Sequence, residues 1–292
     1  MTGTLSALCV AAAVSLGAGP GFPAASVLAP PADKTRTIYV TVTDDKGPVT
    51  DLSAADFAVK EGGKDRDVVS AELAAAPMQV AIVVDDNGTG LFRSSVALFI
   101  QRLLGHGEFA ISVVTGQTMR IVDFTTSTQA LSAAIARLGA RPSTPDGGQL
   151  LEGITDAARD FTKREARRPV IVVLTVGGEE HSPIQAAEVL NRLKDSGASL
   201  HVISVANSSL RSTIVPTTPA QMLDTGINLS EVLGDGPKQS GGMREEIVAT
   251  TGVVSGMQRL ADELLHQYVV TYVLPDGVKQ SASWRVSEWA SR

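Results

Sequence analysis

At 292 residues the chain is long enough to bury a full core, with room for one large domain and a smaller addition. It is 43% hydrophobic with a net charge of -6, which gives no electrostatic basis for binding nucleic acid or an anionic membrane, and aromatics at 4% leave few platforms for stacking bases. The single cysteine, Cys9, lies in the leader, so a processed chain would have no disulfide, thiolate metal site or cysteine nucleophile.

The leader comes first in chain order. "LSALCVAAAVSLGA", Leu5 to Ala18, is apolar but too short to span a membrane comfortably, and breaker-rich "GPGFPAASVLAPPAD" follows with small residues suited to cleavage. This reads as a signal peptide over 1–26 and a linker over 27–34, with a secreted or periplasmic mature protein that inserts in no membrane after processing. Residues 35–75 alternate polar and apolar side chains around turns at Asp45-Lys46-Gly47 and Glu61-Gly62-Gly63, as short antiparallel strands with one wet face do.

From Met78 the pattern changes to strands separated by helices. "MQVAIVVDD" is a continuous apolar run, as a strand buried on both faces requires. "LFRSSVALFIQRLLG" puts Phe92, Val96, Phe99, Ile100, Leu103 and Leu104 on one helical stripe. "GEFAISVVTG" and "MRIVDFT" read as strands around a turn, and "TQALSAAIARLGA" as a helix closed by Gly139. A helix from Leu150, a buried strand "RPVIVVLTVG", a helix "IQAAEVLNRLKDSG" and a strand "SLHVISVA" complete the alternation. Such alternation predicts an α/β fold: a doubly wound, mostly parallel sheet with helices on both faces over 76–266, beside the small antiparallel β unit. Residues 207–242, rich in Pro, Gly and Ser, read as a long irregular loop. "MQRLADELLHQ" is an amphipathic helix, and 267–292 read as a β hairpin turning at Pro275-Asp276-Gly277. Its strand at Tyr268–Val273 is expected to pack on the small β unit, because both alternate and both need one wet face.

In an open doubly wound sheet, ligands bind beyond the carboxyl ends of the strands, near the reversal of strand order. Three segments should meet there: Asp85, Asp86, Asn87 and Thr89; "STPDGGQ", ending at Gln149; and "LTVGGEEHS", holding Val176. The succession of an apolar strand, an oxygen-rich turn, "GGQLLEGI" and "RRPVIVVLTVGGEEHS" resembles the von Willebrand factor type A (VWA) family, in an exported bacterial subfamily. That resemblance implies a metal-ion-dependent adhesion site (MIDAS) drawing ligands from these three loops. Asp85 matches the first aspartate of that site, and Asn87 and Thr89 stand at its two serine positions. Gln149 stands where threonine is usual, and Val176 where a second aspartate would be.

Magnesium demands near-octahedral oxygen ligands and dehydrates reluctantly, so the loss of a carboxylate and a hydroxyl predicts a degenerate site and no cofactor. Were Mg2+ held, Asp85, Asn87 and Thr89 would need help from Asp146 or Glu179, with Asp86, Thr144 and Glu180 as further neighbours. Asn87 and Thr89 also suit a plain strand-to-helix turn. The four histidines have no paired ligand spacing, and the sequons at Asn87, Asn207 and Asn228 are short enough to arise by chance. The resulting reading is a secreted, non-catalytic module that binds a protein partner at the rim Asp85, Asn87, Thr89, Gln149 and Val176. The alternative is a hydrolase or nucleotide-binding enzyme on a similar three-layer fold. Against it, the chain lacks a G-x-S-x-G elbow, a phosphate-binding G-x-x-x-x-G-K-[ST] loop and a G-x-G-x-x-G turn after a strand.

Overall fold

The computed structural model describes residues 34–139, 141–142, 148–205, 219–274 and 284–287. The chain divides into Met1–Ala32 and Asp33–Arg292, and everything described lies in the second unit. The predicted signal peptide and most of the linker therefore lie outside the described residues. The first strands are β1 (Lys34–Val40), β2 (Thr43–Asp44), β3 (Gly47–Pro48), β4 (Ala58–Glu61), β5 (Lys64–Arg66) and β6 (Val68–Leu73). Then come β7 (Met78–Asp85), α1 (Arg93–Leu103), β8 (Gly107–Thr115), β9 (Gln117–Thr125), α2 (Thr128–Arg137) and α3 (Leu150–Lys163). Next are β10 (Pro169–Thr175), α4 (Ala186–Ser196), β11 (Ser199–Val205), α5 (Pro219–Ser240), β12 (Arg244–Ile247), α6 (Gly252–Leu265), β13 (Tyr268–Leu274) and β14 (Trp284–Ser287).

Six strands form the main sheet in the order β12-β11-β10-β7-β8-β9, parallel except for the β9 edge, which runs antiparallel to β8. The continuous apolar runs have a simple cause: alternate residues enter different cores. Val80, Ile82 and Val84 of β7 meet α1, α2 and α6 through residues such as Phe99, Leu131 and Leu260. Ala81 and Val83 face the opposite way, toward Ile154 and Phe161 of α3 and Val189 of α4. Helix α4 stops at Gly197, whose φ of +66° is a left-handed cap that glycine adopts without strain.

β13 lies between β1 and β6, antiparallel to both, so the chain end pairs with the N-terminal strands as expected. Alternate β13 residues Tyr268, Val270 and Tyr272 turn inward onto Ile38, Phe57 and Val59 in a separate small core. The Tyr268 hydroxyl accepts the amide of Leu52 at 3.0 Å, and its ring meets Phe57 at 5.2 Å.

Three expectations need correction. The C-terminal hairpin does not form: β13 pairs with β1 and β6, whereas β14 pairs with β4 in another sheet. The central place between two strands leaves β13 no free edge for β14; the expected turn at 275–277 lies outside the described residues. The irregular loop 207–242 contains the 22-residue α5, while 206–218 lie outside the described residues. Pro237 sits inside α5 and would normally cost about 3 kcal/mol, but Val232 is buried and Leu229 and Leu233 pack on the same core, so tertiary packing overrides local preference. Leu104, predicted on the α1 stripe, follows the helix and is exposed. Strand β12, "REEI", was not anticipated at all.

Candidate functional site

Between β7 and β8 the chain moves one way across the sheet, and between β9 and β10 it returns to the other side of β7. The reversal therefore falls at the carboxyl ends of β7 and β10, where crevices form in doubly wound sheets. Asp85 and Thr175 are register partners at that point. The Thr175 hydroxyl donates to Asp85 Oδ2 at 2.7 Å and accepts the Gly177 amide at 2.9 Å, and the Val176 amide donates to the Asp85 carbonyl at 3.0 Å. The second loop arrives through Gly148, whose amide donates to the Glu179 carbonyl at 3.0 Å and whose carbonyl accepts the His181 amide at 2.8 Å. A side chain on Gly148 would run into Val114 and come 3.9 Å from Asp85 Oδ1, so only glycine allows this close approach.

Burial pushes the Asp85 carboxyl up to about 6, and the neighbouring Asp86 charge adds to it, against the opposing pull of the Thr175 hydrogen bond. Asp86 has the contrary surroundings. Its oxygens accept from Gly88 at 3.1 Å, Gly90 at 2.8 Å and Arg141 Nη2 at 2.6 Å. Arg141 also donates its amide to the Gly88 carbonyl at 2.7 Å. Gly88, at φ +76°, has the Arg141 carbonyl where a β-carbon would stand, 2.5 Å away, so the turn needs glycine twice over. Asp86 and Arg141 thus build the loop.

The other predicted residues are placed unevenly. Asn87 is half-buried with φ +48°, a left-handed conformation that asparagine tolerates better than most residues. Thr89 is exposed, and its hydroxyl accepts the Leu91 amide at 3.3 Å. Neither caps α1, which starts after Phe92 without a side-chain cap. Gln149 holds the N-cap position of α3 with no side-chain cap bond, and its carbonyl accepts the Thr118 hydroxyl at 2.7 Å. Val176 is the correction at this site. It is 1% exposed within the apolar core shared by α1 and α6, so it forms no part of an accessible rim.

Thr175 and Arg141 were not singled out from the sequence, whereas the glycine pair before Gln149 reads as tight packing at a helix start. Only Thr175 carried a signal, being the sole oxygen-bearing side chain of β10, which otherwise reads "PVIVVL". Glu180, considered as a neighbouring ligand, is 4% exposed and accepts the Leu150 amide at 3.0 Å and the Ser182 amide at 2.9 Å. Burial pushes its carboxyl up while those bonds pull it down, and its position at the N-terminus of α3 is that of a helix cap. Glu179 lies 3.4 Å from His181; Thr144 and Asp146 lie outside the described residues.

Among the described residues, these donors fall short of the octahedral set of a MIDAS. One Asp85 oxygen is taken by a hydroxyl, Asp86 is held by a guanidinium, and Val176 has no side-chain oxygen. Among the described residues no three of His, Cys, Asp or Glu gather around one point. No helix there is long and apolar enough to cross a membrane.

No family model and no curated protein matches the chain. Solved structures do. A von Willebrand factor type A protein from Catenulispora acidiphila superposes with a TM-score of 0.46 at 11% identity, over 87% of this chain and 68% of that one. Proximal thread matrix protein 1 from the mussel byssus, in a structure with a zinc-occupied MIDAS motif, gives 0.48 at 12% identity, over 70% of this chain. The chain spans about half of that protein's length, 49%. The vWF domain of the pilus tip protein Mfa5 from Porphyromonas gingivalis gives 0.43 at 11% identity, over 64% of this chain and 95% of that domain. At such identities and TM-scores the likeness carries over no ligand, partner or role.

Proposed function

We propose that this VWA-like chain is a secreted or periplasmic, non-catalytic protein-binding module that contacts its partner at the carboxyl edge of the main sheet, through an eroded metal site. One observation carries the reading. Where strand order reverses, the Asp85 carboxyl has one side-chain partner among the described residues, the neutral Thr175 hydroxyl. The adjoining loops carry the neutral polar residues Asn87, Thr89 and Gln149. A cationic group or amide donor from a partner would satisfy Asp85 where the family's metal would have done so. Val176 contributes from beneath, by fixing the third loop to the core.

Cross-linking the full chain to a captured extracytoplasmic partner, followed by mass spectrometry, tests this. Cross-links should fall on 85–91 and 177–181, capture should survive EDTA, and Thr89→Arg should abolish it. Capture abolished by EDTA would restore a metal-dependent site. Cross-links confined to the other end of the sheet would overturn the rim.

A further inference from the structure

At the opposite end of β10 lies a cavity of about 360 Å3, within the size range of ligand pockets. Its walls are β1, the start of β10, and the carboxyl ends of α4 and α5. The β1 wall is informative: four consecutive residues, Arg36, Thr37, Ile38 and Tyr39, all line it. Successive strand side chains point to opposite faces, so a cavity against one face of the sheet would meet only every second residue. A cavity that meets four in a row runs along the strand's edge. Among the described residues, that edge is free: β1 pairs with β13 on one side and with no strand on the other. Its outward amides and carbonyls are a template for another strand.

The chemistry of the walls says what kind of strand. Four of the lining residues are cationic, Arg36, Arg167, Arg168 and Lys194, and none is acidic. Arg36 is engaged by Glu61, and Arg168 is fully occupied by Gln267 and backbone carbonyls. Arg167 and Lys194 are exposed and make no ion pair or hydrogen bond among the described residues. Two free cations therefore stand beside an open strand edge.

We propose that this groove docks an extended acidic segment of a partner protein, which adds as a strand to β1 and sets its carboxylates against Arg167 and Lys194. Main-chain pairing supplies affinity and the cations supply selectivity, as in other cases of strand addition. The site is independent of the rim, because β10 separates the two by roughly 20 Å at about 3.3 Å per residue.

The test uses the full chain and a fluorescein-labelled hexapeptide of alternating glutamate and valine. It should bind, and the β1 amides of residues 36–39 should exchange more slowly in its presence. A hexapeptide N-methylated at every residue lacks the amides needed for pairing in either register and should bind about tenfold or more weakly. The double variant R167E/K194E alters two exposed side chains; it should keep the melting temperature and lose binding to a similar degree. A lysine-for-glutamate peptide should not bind. Equal binding of the N-methylated peptide would mean charge attraction without strand addition, and would overturn the proposal. So would full displacement by millimolar inorganic phosphate or citrate, which would mark a small-anion pocket. Absence of any binding at millimolar peptide would overturn it as well.

Discussion

The two ends of β10 pose the same electrostatic problem with opposite signs. At the carboxyl end, Asp85 is a carboxyl without a cation; at the amino end, Arg168 is a buried cation without a carboxylate. The solutions differ. Arg168 uses every donor of its guanidinium. Nε and Nη2 reach Gln267 Oε1 at 3.3 and 2.9 Å, Nη1 reaches the carbonyls of Ala74 and Ala76 at 3.4 and 3.2 Å, and Nη2 also reaches the Leu264 carbonyl. The Tyr39 ring lies 5.3 Å beneath its plane. Burial pulls Arg168 below the usual guanidinium range, and the Tyr39 interaction opposes that pull. Asp85 has one hydroxyl. A group that saturates its partners is a fastener, and one that does not is available to a ligand.

Breaking the fastener should give the largest effect. The carbonyls that Arg168 ties together belong to the connector between β6 and β7 and to the end of α6, so Arg168 joins the small sheet to the main one. Arg168→Ala removes all of these bonds and leaves buried acceptors unsatisfied. It should cost about 3–5 kcal/mol by denaturant titration. A loss below about 1 kcal/mol would mean water replaces the guanidinium readily.

Next in size is the pair of adjacent aspartates. Asp86→Ala leaves the Arg141 charge half-buried and two loop amides without acceptors, and should destabilise by about 3 kcal/mol. Asp85→Asn should act in the other direction. Because the folded-state value of Asp85 is raised from 3.8 to about 6, folding favours its protonated form. The stabilisation is complete below the unfolded value and is lost as pH rises through about 6. Relative to wild type, Asp85→Asn should therefore be near neutral at pH 4 and gain up to about 3 kcal/mol by pH 7.5. His201 titrates the other way. Burial lowers it to about 4, and its Nδ1 accepts the Met243 amide at 3.3 Å, so its contribution is lost as pH falls from 6.5 toward 4. It is common to both proteins and cancels in the difference. A flat difference curve would show that Asp85 is ionised without penalty.

The sheet was legible because its strands must be apolar on both faces, and Val80 to Val84 announce that without any long-range information. Helix α5 was not, because Gly234, Gly236 and Pro237 are locally breakers. Their compatibility appears only in the packing, where Gly236 lies close under Leu200. β12 escaped for a related reason: three of its four residues are charged, and its place beside β11 comes from pairing rather than from apolar pattern. At the site, the meeting of β7 and β10 at Asp85 followed from strand order and spacing. Which neighbour would hold Asp85 did not follow, since Thr175 and Val176 differ only in which way each side chain turns at the end of a strand.

That last distinction sets the smallest expected effect. Addition of 1 mM Mg2+ should move the melting temperature by less than about a degree, whereas a ligand at a hundred times its dissociation constant adds about 2.7 kcal/mol, worth several degrees in a domain of this size. The resemblance alone would predict that Val176→Asp with Gln149→Thr restores a metal response. The packing says otherwise. Val176 is buried among core residues that include Val84 and Leu174, so an aspartate there becomes a buried carboxylate before it becomes a ligand. The double variant should melt several degrees lower and still ignore Mg2+. A restored shift would require the 176–178 backbone to turn outward, which would break the bonds from the Val176 amide to Asp85 and from the Gly177 amide to Thr175. Slow amide exchange at those two positions in the variant, together with an absent metal response, would show that the third loop is fastened to the core and that Asp85 depends on a ligand from outside the chain.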